Sequence, residues 1–198
     1  MKTPAWFPAA LAAMLIGLLL AAAPLPAKQP PLPRDSVYQL DVQLLDQAGR
    51  RQPWRAQRGR PRLVGMFYTS CQYICPLIVD SGKAVERQLD PTERKRLGIT
   101  LISMDPVRDT PRALAAVVAQ RKLDTSRWTL ASPRPDDVRQ VAGVLGVRFR
   151  QLADGEFNHT SALVLLDAEG RVLSRTEKMG SQPDPEFVAA VRRALAPR

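Results

Sequence analysis

The chain contains two cysteines and one histidine, and their types and spacing make them the first candidates for chemistry. The thiols belong to the segment Cys71-Gln72-Tyr73-Ile74-Cys75-Pro76, directly after an apolar run, and the imidazole belongs to Asn158-His159-Thr160, directly before another. Thiolates are ligands that select soft metals, and imidazole suits copper. Two sulfurs and one neutral imidazole suit Cu(I), and they can hold Cu(II) with water or a further oxygen donor. The residue types therefore predict a site for one copper ion at Cys71, Cys75 and His159.

Other roles for these residues remain open at this level. A structural zinc site normally has four protein ligands, so a zinc site here would need a carboxylate as well. A bridge between Cys71 and Cys75 would close a very short loop and would restrain little entropy of the unfolded chain. A closely spaced pair in an exported protein is therefore more typical of redox or metal chemistry than of a structural disulfide. A single histidine beside a strand, without further context, is usually only a surface polar residue.

The position of the thiols favours their reactive form. Pro76 suits the first turn of a helix, where a missing N–H costs nothing. The free N–H groups and the dipole at a helix N-terminus favour negative charge, and the thiolate is the form that binds metal or attacks a disulfide. We therefore expect both sulfurs to be available as thiolates, either for a metal or for thiol–disulfide exchange.

Apolar runs and turn signals divide the rest of the chain into strands and helices. A loosely alternating run followed by Asp46-Gln47-Ala48-Gly49 predicts an N-terminal β-hairpin. Further strands are predicted at residues 62–68, 99–103, 161–166 and 171–174. Helices are predicted after Cys75, from Thr110-Pro111, from Pro135 and from Asp184-Pro185.

The order of these elements predicts the fold class. Early alternation of strands and helices indicates a parallel βαβ unit, and a closing hairpin and helix add antiparallel strands. We therefore predict an α/β protein with a mixed central sheet flanked by helices and with an N-terminal β-hairpin. With the thiols at the first turn from strand to helix, this is a thioredoxin-like layout.

The N-terminal region indicates export. Residues 1–27 begin with Lys2, continue as an uncharged run rich in leucine and alanine, and end in small residues and prolines, as a signal peptide or an N-terminal membrane anchor does. Residues 28–36 form a proline-rich linker, which should be extended and semi-rigid. We expect residues 37–198 to be one exported domain, soluble in the periplasm or anchored to the inner membrane.

The charge balance is basic, with 29 Lys and Arg residues against 19 Asp and Glu residues. These charges are scattered, and no basic run is interleaved with aromatic residues, so nothing indicates a nucleic-acid platform. Most of them should form a solvated, arginine-rich surface. A weaker expectation is attraction to anionic lipid or to an acidic partner protein.

Three segments resemble the Sco/SenC family of copper-binding, thioredoxin-like proteins. The segment Thr69-Ser70-Cys71-Gln72-Tyr73-Ile74-Cys75-Pro76 resembles the CxxxCP motif of the family. The segment Ile102-Ser103-Met104-Asp105-Pro106-Val107-Arg108-Asp109-Thr110-Pro111 resembles its strand followed by DPxRDT, and Asn158-His159-Thr160-Ser161-Ala162 resembles its ligand-histidine segment. The motifs occur in the order of the family, and the likeness covers roughly residues 35–195. Asn158 departs from the pattern, because many members carry an acidic residue before the histidine.

The resemblance implies a role in assembly of the CuA centre of cytochrome c oxidase. It implies that Cys71, Cys75 and His159 hold copper and that Asp105 supports the site. The expected partner is the CuA-bearing oxidase subunit or another copper chaperone, with membrane association through the N-terminus and no nucleic acid.

Three functions compete at this stage, and the first is a copper metallochaperone rather than an enzyme in the usual sense. The second is a thiol–disulfide oxidoreductase, in which Cys71 and Cys75 keep the CuA cysteines of the partner reduced. The third is a thiol redox sensor. His159 favours the copper metallochaperone, because thiol exchange of the ordinary thioredoxin type needs no histidine at that position.

Overall fold

A computed structural model describes residues 30–70 and 74–196 of the chain, without the side chains of residues 74–76. Within these residues the compact unit begins at Leu32. The strands are β1 (Gln43–Asp46), β2 (Arg51–Pro53), β3 (Arg62–Phe67), β4 (Gly98–Ser103), β5 (Trp128–Ser132), β6 (Phe149–Gln151), β7 (Phe157–His159), β8 (Leu163–Leu166) and β9 (Val172–Thr176). The α-helices are α1 (Ile74–Arg87), α2 (Pro91–Arg96), α3 (Pro111–Gln120), α4 (Val138–Val144) and α5 (Pro185–Leu195). Short 3₁₀ helices span Val37–Gln39, Trp54–Gln57 and Pro135–Asp137.

Seven strands form one mixed sheet in the order β2-β1-β5-β4-β3-β8-β9. The central pairs β3–β4 and β4–β5 are parallel, and β8 and β9 continue the sheet in antiparallel fashion beyond β3. Strands β6 and β7 form a separate two-stranded antiparallel ribbon. The predicted α/β class, the mixed sheet, the N-terminal hairpin and the thioredoxin-like layout are therefore confirmed.

The central strands are buried on both faces, which explains why they read as continuous apolar runs. Every residue of β3, β4 and β8 is buried. Helix α1 lies close against β3, since a Cβ atom on Gly65 would come within 2.8 Å of Cδ1 of Ile78. A side chain at position 65 would therefore force the Ile78 side chain of α1 to shift.

Helices α3 and α5 begin at capping residues that can be recognised in the sequence. The Thr110 hydroxyl accepts a hydrogen bond from the Ala113 N–H at the start of α3, and the Asp184 carboxylate accepts one from the Glu186 N–H at the start of α5. Both helices carry proline directly after the cap, as predicted. None of the helices in the described part of the chain is long and apolar enough to cross a bilayer.

Several elements differ from the sequence-based expectation. The strand β5, the helix α2 and the ribbon β6–β7 were not predicted, and His159 is the last residue of β7 rather than a residue just before a strand. Strand β8 begins at Leu163, two positions later than expected. The predicted signal or anchor (residues 1–27) lies outside the described residues. Residues 32 and 33 of the predicted linker accept hydrogen bonds at their carbonyls from the Gln39 amide.

Candidate metal centre

The predicted thiol segment follows β3, a central parallel strand, in the sequence and runs into the start of α1. Cys71 lies outside the described residues, and Cys75 belongs to the first turn of α1, although its side chain is not described. Edges of this kind, where parallel strands end, are where α/β sheets commonly carry binding sites. The residues that lead into and surround this connection are described, and they define the framework of the site.

Asp109 fixes the chain directly before Cys71. Its carboxylate accepts hydrogen bonds from the Thr69 N–H at 3.0 Å, the Thr69 hydroxyl at 2.6 Å and the Ser103 hydroxyl at 2.5 Å. Asp109 is almost fully buried, and this burial raises the pKa of its carboxyl although the bonds from Ser103 and Thr69 act to lower it. The carboxyl group thus ties the ends of β3 and β4 together where the thiol segment begins.

His159 is carried by the β6–β7 ribbon. It pairs with Phe149 in the ribbon register, and the Thr160 N–H donates to the Arg148 carbonyl at 2.8 Å just beyond it. Nδ1 of His159 lies 3.2 Å from the carbonyl oxygen of Thr160. Because a carbonyl only accepts, this contact assigns the ring proton to Nδ1 and leaves a lone pair on Nε2.

Tyr68 links the ribbon to the end of β3, the strand that precedes the thiol segment. Its ring lies edge-on against the His159 ring, with 5.9 Å between centroids, and edge-on against Phe157, with 5.1 Å between centroids. Its hydroxyl donates to Oε2 of Glu156 at 2.9 Å. Tyr68 directly precedes Thr69, so the imidazole lies beside the residue from which the chain runs to Cys71.

The imidazole has the protonation and the free atom that a metal ligand needs. Burial lowers the pKa of His159, with a smaller opposing effect of the Thr160 carbonyl, so the ring stays neutral over a wider pH range. Nε2 is buried and has no hydrogen-bond partner among the described residues. An unpartnered buried nitrogen is costly in a folded protein, and binding a soft metal ion would satisfy it. The donor set therefore fits copper at this residue.

Asp105, the predicted supporting residue, is engaged by Arg108. Its buried carboxylate accepts a hydrogen bond from Nε of Arg108, and the Arg108 guanidinium also donates to the Gly155 carbonyl at 2.6 Å. Gly155 belongs to the turn between β6 and β7, so Asp105 acts on the ribbon of His159 through Arg108. Within the part of the chain that the structure describes, no three His, Cys, Asp or Glu side chains gather where they could hold a metal ion.

Sequence reasoning gave no role to Tyr68, Asp109 or Glu156. Asp109 stands inside the DPxRDT-like segment, and an acid that directly precedes a helix cap was a signal that it bonds to nearby backbone. Tyr68 ends a buried strand, and a tyrosine at such a boundary commonly uses its hydroxyl for a hydrogen bond. Glu156 gave no usable signal, because it follows a turn and shows no periodicity.

A model of the protein family described as SCO1/SenC matches residues 33–196. A curated relative from Stutzerimonas stutzeri, whose name describes copper binding, is 24% identical over 143 residues, which is 70% of this chain and 68% of the relative. The family match spans the whole described unit, including the segments around Cys71, Asp105 and His159.

Solved structures share the fold. ScoI of Bradyrhizobium japonicum, determined with copper bound, is 26% identical with a TM-score of 0.64, and the match covers 77% of this chain and 96% of that one. BsSco, described as a member of the Sco family of cytochrome c oxidase assembly proteins with a disulfide switch, is 21% identical with a TM-score of 0.64. That match covers 77% of this chain and 90% of BsSco, and it establishes the shared fold.

Proposed function

The chain belongs to the SCO1/SenC family, and from this membership we propose that it is a copper metallochaperone that delivers copper to the CuA site during cytochrome c oxidase assembly. Cys71, Cys75 and His159 bind one copper ion as cargo. The acceptor is the CuA-bearing oxidase subunit or another copper chaperone. The work takes place outside the cytoplasm, with residues 1–27 serving for export or as a membrane anchor.

The observation that carries this proposal is the state of His159. Burial lowers the pKa of its ring and so favours the neutral form, its Nδ1 is held by the Thr160 carbonyl, and its buried Nε2 has no partner among the described residues. The ring also packs against Tyr68, which stands just before the thiol segment. A histidine that served only to fill space would not need a free nitrogen at that position.

The three ligands suit transfer of an ion rather than its permanent retention. Thiolates bind Cu(I) strongly, and a site of three ligands leaves room for a ligand of the acceptor to join before one of the chain's own ligands leaves. Because the ribbon of His159 is separate from the main sheet, its ligand stands on a different element from the two sulfurs. Exchange through His159 therefore would not disturb the central sheet.

An anaerobic titration of the reduced chain with Cu(I) and with Cu(II) tests the proposal. We expect binding of one ion, with bands of sulfur-to-copper charge transfer in the Cu(II) form. The oxidised chain, with a Cys71–Cys75 disulfide, should not bind, because a disulfide sulfur has no thiolate to donate. Equal copper binding by the reduced and oxidised chains would overturn a site built on two thiolates.

A second function uses the same thiols without copper, and the disulfide switch described for BsSco favours keeping it. In this function Cys71 attacks a disulfide of the partner and forms a mixed disulfide. Cys75 then attacks Cys71, which releases the partner as a dithiol and leaves a Cys71–Cys75 disulfide. Two electrons pass from this chain to the partner, whose cysteines are then ready to accept metal.

The two functions respond differently to one substitution. His159→Ala should abolish high-affinity copper binding while leaving the rate of thiol–disulfide exchange with a model disulfide within a factor of about two. A variant that loses exchange together with copper binding would place His159 in the thiol chemistry instead.

A further inference from the structure

Arg62 is a buried cation at the start of β3, at the opposite end of that strand from the thiol segment. The residue is only 4% exposed. One terminal nitrogen of its guanidinium donates to the Thr100 hydroxyl at 3.1 Å, and the other donates to the Gln57 carbonyl at 3.3 Å. Its Nε–H is buried and has no partner among the described residues. Two neutral acceptors are weak compensation for a buried charge.

The Arg62 side chain packs against the neighbouring strand β4. A Cβ atom on Gly98 would come within 2.6 Å of a terminal nitrogen of Arg62, so the guanidinium packs directly against the backbone of β4 and would have to shift for any larger residue there. The charge itself persists, because arginine remains protonated in proteins. Burial acts to lower the pKa of Arg62, and the positive charge of Arg60 acts in the same direction.

Among the described residues, no carboxylate pairs with the positive charge of the Arg62 guanidinium. The Arg62 side chain forms no ion pair with any carboxylate in the described part of the chain, and the Tyr38 hydroxyl beside it, which acts to raise the pKa of Arg62, is a neutral partner only. Buried charges in proteins are normally paired. A buried arginine with unused donors and no carboxylate therefore indicates that its counter-charge comes from outside the chain.

Arg62 lines a cavity of about 170 Å³ that can admit such a counter-charge. The other polar residues on its wall are Asp46, Arg50, Gln52, Gln57 and Thr129. The Asp46 carboxylate would repel an anion, but it accepts hydrogen bonds from the Ala48 and Arg50 N–H groups and from the Arg50 side chain at 2.9 Å each. Its charge is thus neutralised by Arg50, and Arg62 remains the uncompensated charge of the cavity.

We propose that this cavity is a binding site for a small oxyanion of the phosphate or sulfate class, retained by the charge of Arg62. The cavity is smaller than the roughly 300–1,000 Å³ of pockets that enclose drug-sized ligands, so an inorganic ion suits it better than a nucleotide. Arginine is the residue best suited to an oxyanion, because its planar fork of donors matches two oxygens at once. The site is independent of the thiols and of His159.

Titration of the full-length chain with inorganic phosphate, at constant ionic strength, tests the proposal by calorimetry and by the NMR signal of the Arg62 Nε–H. We expect one saturable site in the wild type. Arg62→Gln should weaken phosphate binding at least tenfold, whereas Arg60→Gln, with the same loss of charge two positions away and outside the cavity, should leave it within a factor of about two.

A second pair of variants keeps the test decisive if Arg62→Gln does not fold. Arg50→Gln, at an exposed position, removes one cation and frees the charge of Asp46, so it should weaken phosphate binding several-fold. Arg51→Gln, its exposed neighbour outside the cavity, should not. The absence of saturable binding to the wild type, or equal losses within each pair of variants, would overturn the proposal.

Discussion

The rings of Tyr68 and His159 meet edge-on, with 5.9 Å between centroids and an angle of 75° between planes. Tyr68 directly follows β3, the strand that leads towards the first thiol, and His159 ends the ribbon strand β7. The contact therefore joins the end of β3 to a ribbon with which β3 shares no backbone pairing. The Tyr68 hydroxyl strengthens the link through Glu156.

Removal of the Tyr68 ring should release His159 from its position. We expect Tyr68→Ala to cost about 3 kcal/mol of unfolding free energy, as for other large aromatic deletions in a core. It should also weaken copper binding roughly tenfold, which corresponds to about 1.4 kcal/mol. Tyr68→Phe keeps the ring but removes the hydroxyl, which donates to Glu156 and accepts from the Phe157 N–H at 3.4 Å, so it should cost about 1 kcal/mol and change copper affinity little. Equal copper affinity of the wild type and Tyr68→Ala would contradict a positioning role.

Asp109 should matter through its hydrogen bonds rather than its charge. Asp109→Ala leaves the Thr69 N–H and the Ser103 hydroxyl unpaired, which should cost about 3 kcal/mol in chemical denaturation. Asp109→Asn keeps the shape and one acceptor oxygen, and we expect a loss of about 1 kcal/mol. A loss for asparagine as large as that for alanine would show that the ionised carboxylate, rather than its hydrogen bonds alone, is what the site requires.

The buried carboxyl of Asp109 should also leave a mark on the pH dependence of stability. Its pKa is raised in the folded chain above the ordinary value of 3.8, so the folded state binds the proton more tightly than the unfolded state does. The contribution of this group to stability is therefore greatest below pH 3.8 and is lost as the pH rises through the raised pKa. Urea denaturation at several pH values should show this decline in the wild type and its absence in Asp109→Asn. Parallel pH profiles for the two proteins would contradict it.

Asp105 should support the copper site through the ribbon. Asp105→Asn weakens the hold on Arg108, which in turn donates to the Gly155 carbonyl in the turn between β6 and β7. We expect faster amide hydrogen exchange in residues 154–157 and a loss of a few-fold in copper affinity. Asp136→Asn makes the same charge change at an exposed residue and should alter neither quantity. Unchanged exchange in the Asp105 variant would remove this residue from the support of the site.

Composition and periodicity predict the parts of this fold whose burial is unambiguous. Strands β3 and β4 are apolar on both faces, and α5 has a cap and a clear apolar stripe, so each is visible in the sequence. Strand β5 was not predicted, because its residues Trp128 to Ser132 mix polar and apolar types in a short run. Its burial comes from pairing with β4 and β1, which are distant in sequence.

The framework of the site was harder to predict than its ligands. Cysteine and histidine can be recognised as candidate metal ligands from their residue type alone, and His159 also lies in a segment that resembles a family motif. The ribbon that carries it is only three residues long on each strand, and its turn at Asp154-Gly155 was the only local signal. The contacts of Tyr68 with His159 and of Asp109 with Thr69 join residues far apart in the chain, so no local pattern announces them.

X-ray absorption at the copper edge of the Cu(I)-loaded, reduced chain tests the central claim most directly. We predict a first shell of two sulfur ligands and one imidazole nitrogen, with the nitrogen lost in His159→Ala and retained in Asn158→Ala, a substitution at the exposed neighbour. A shell without nitrogen in the wild type, or one that is the same in wild type and His159→Ala, would contradict the account.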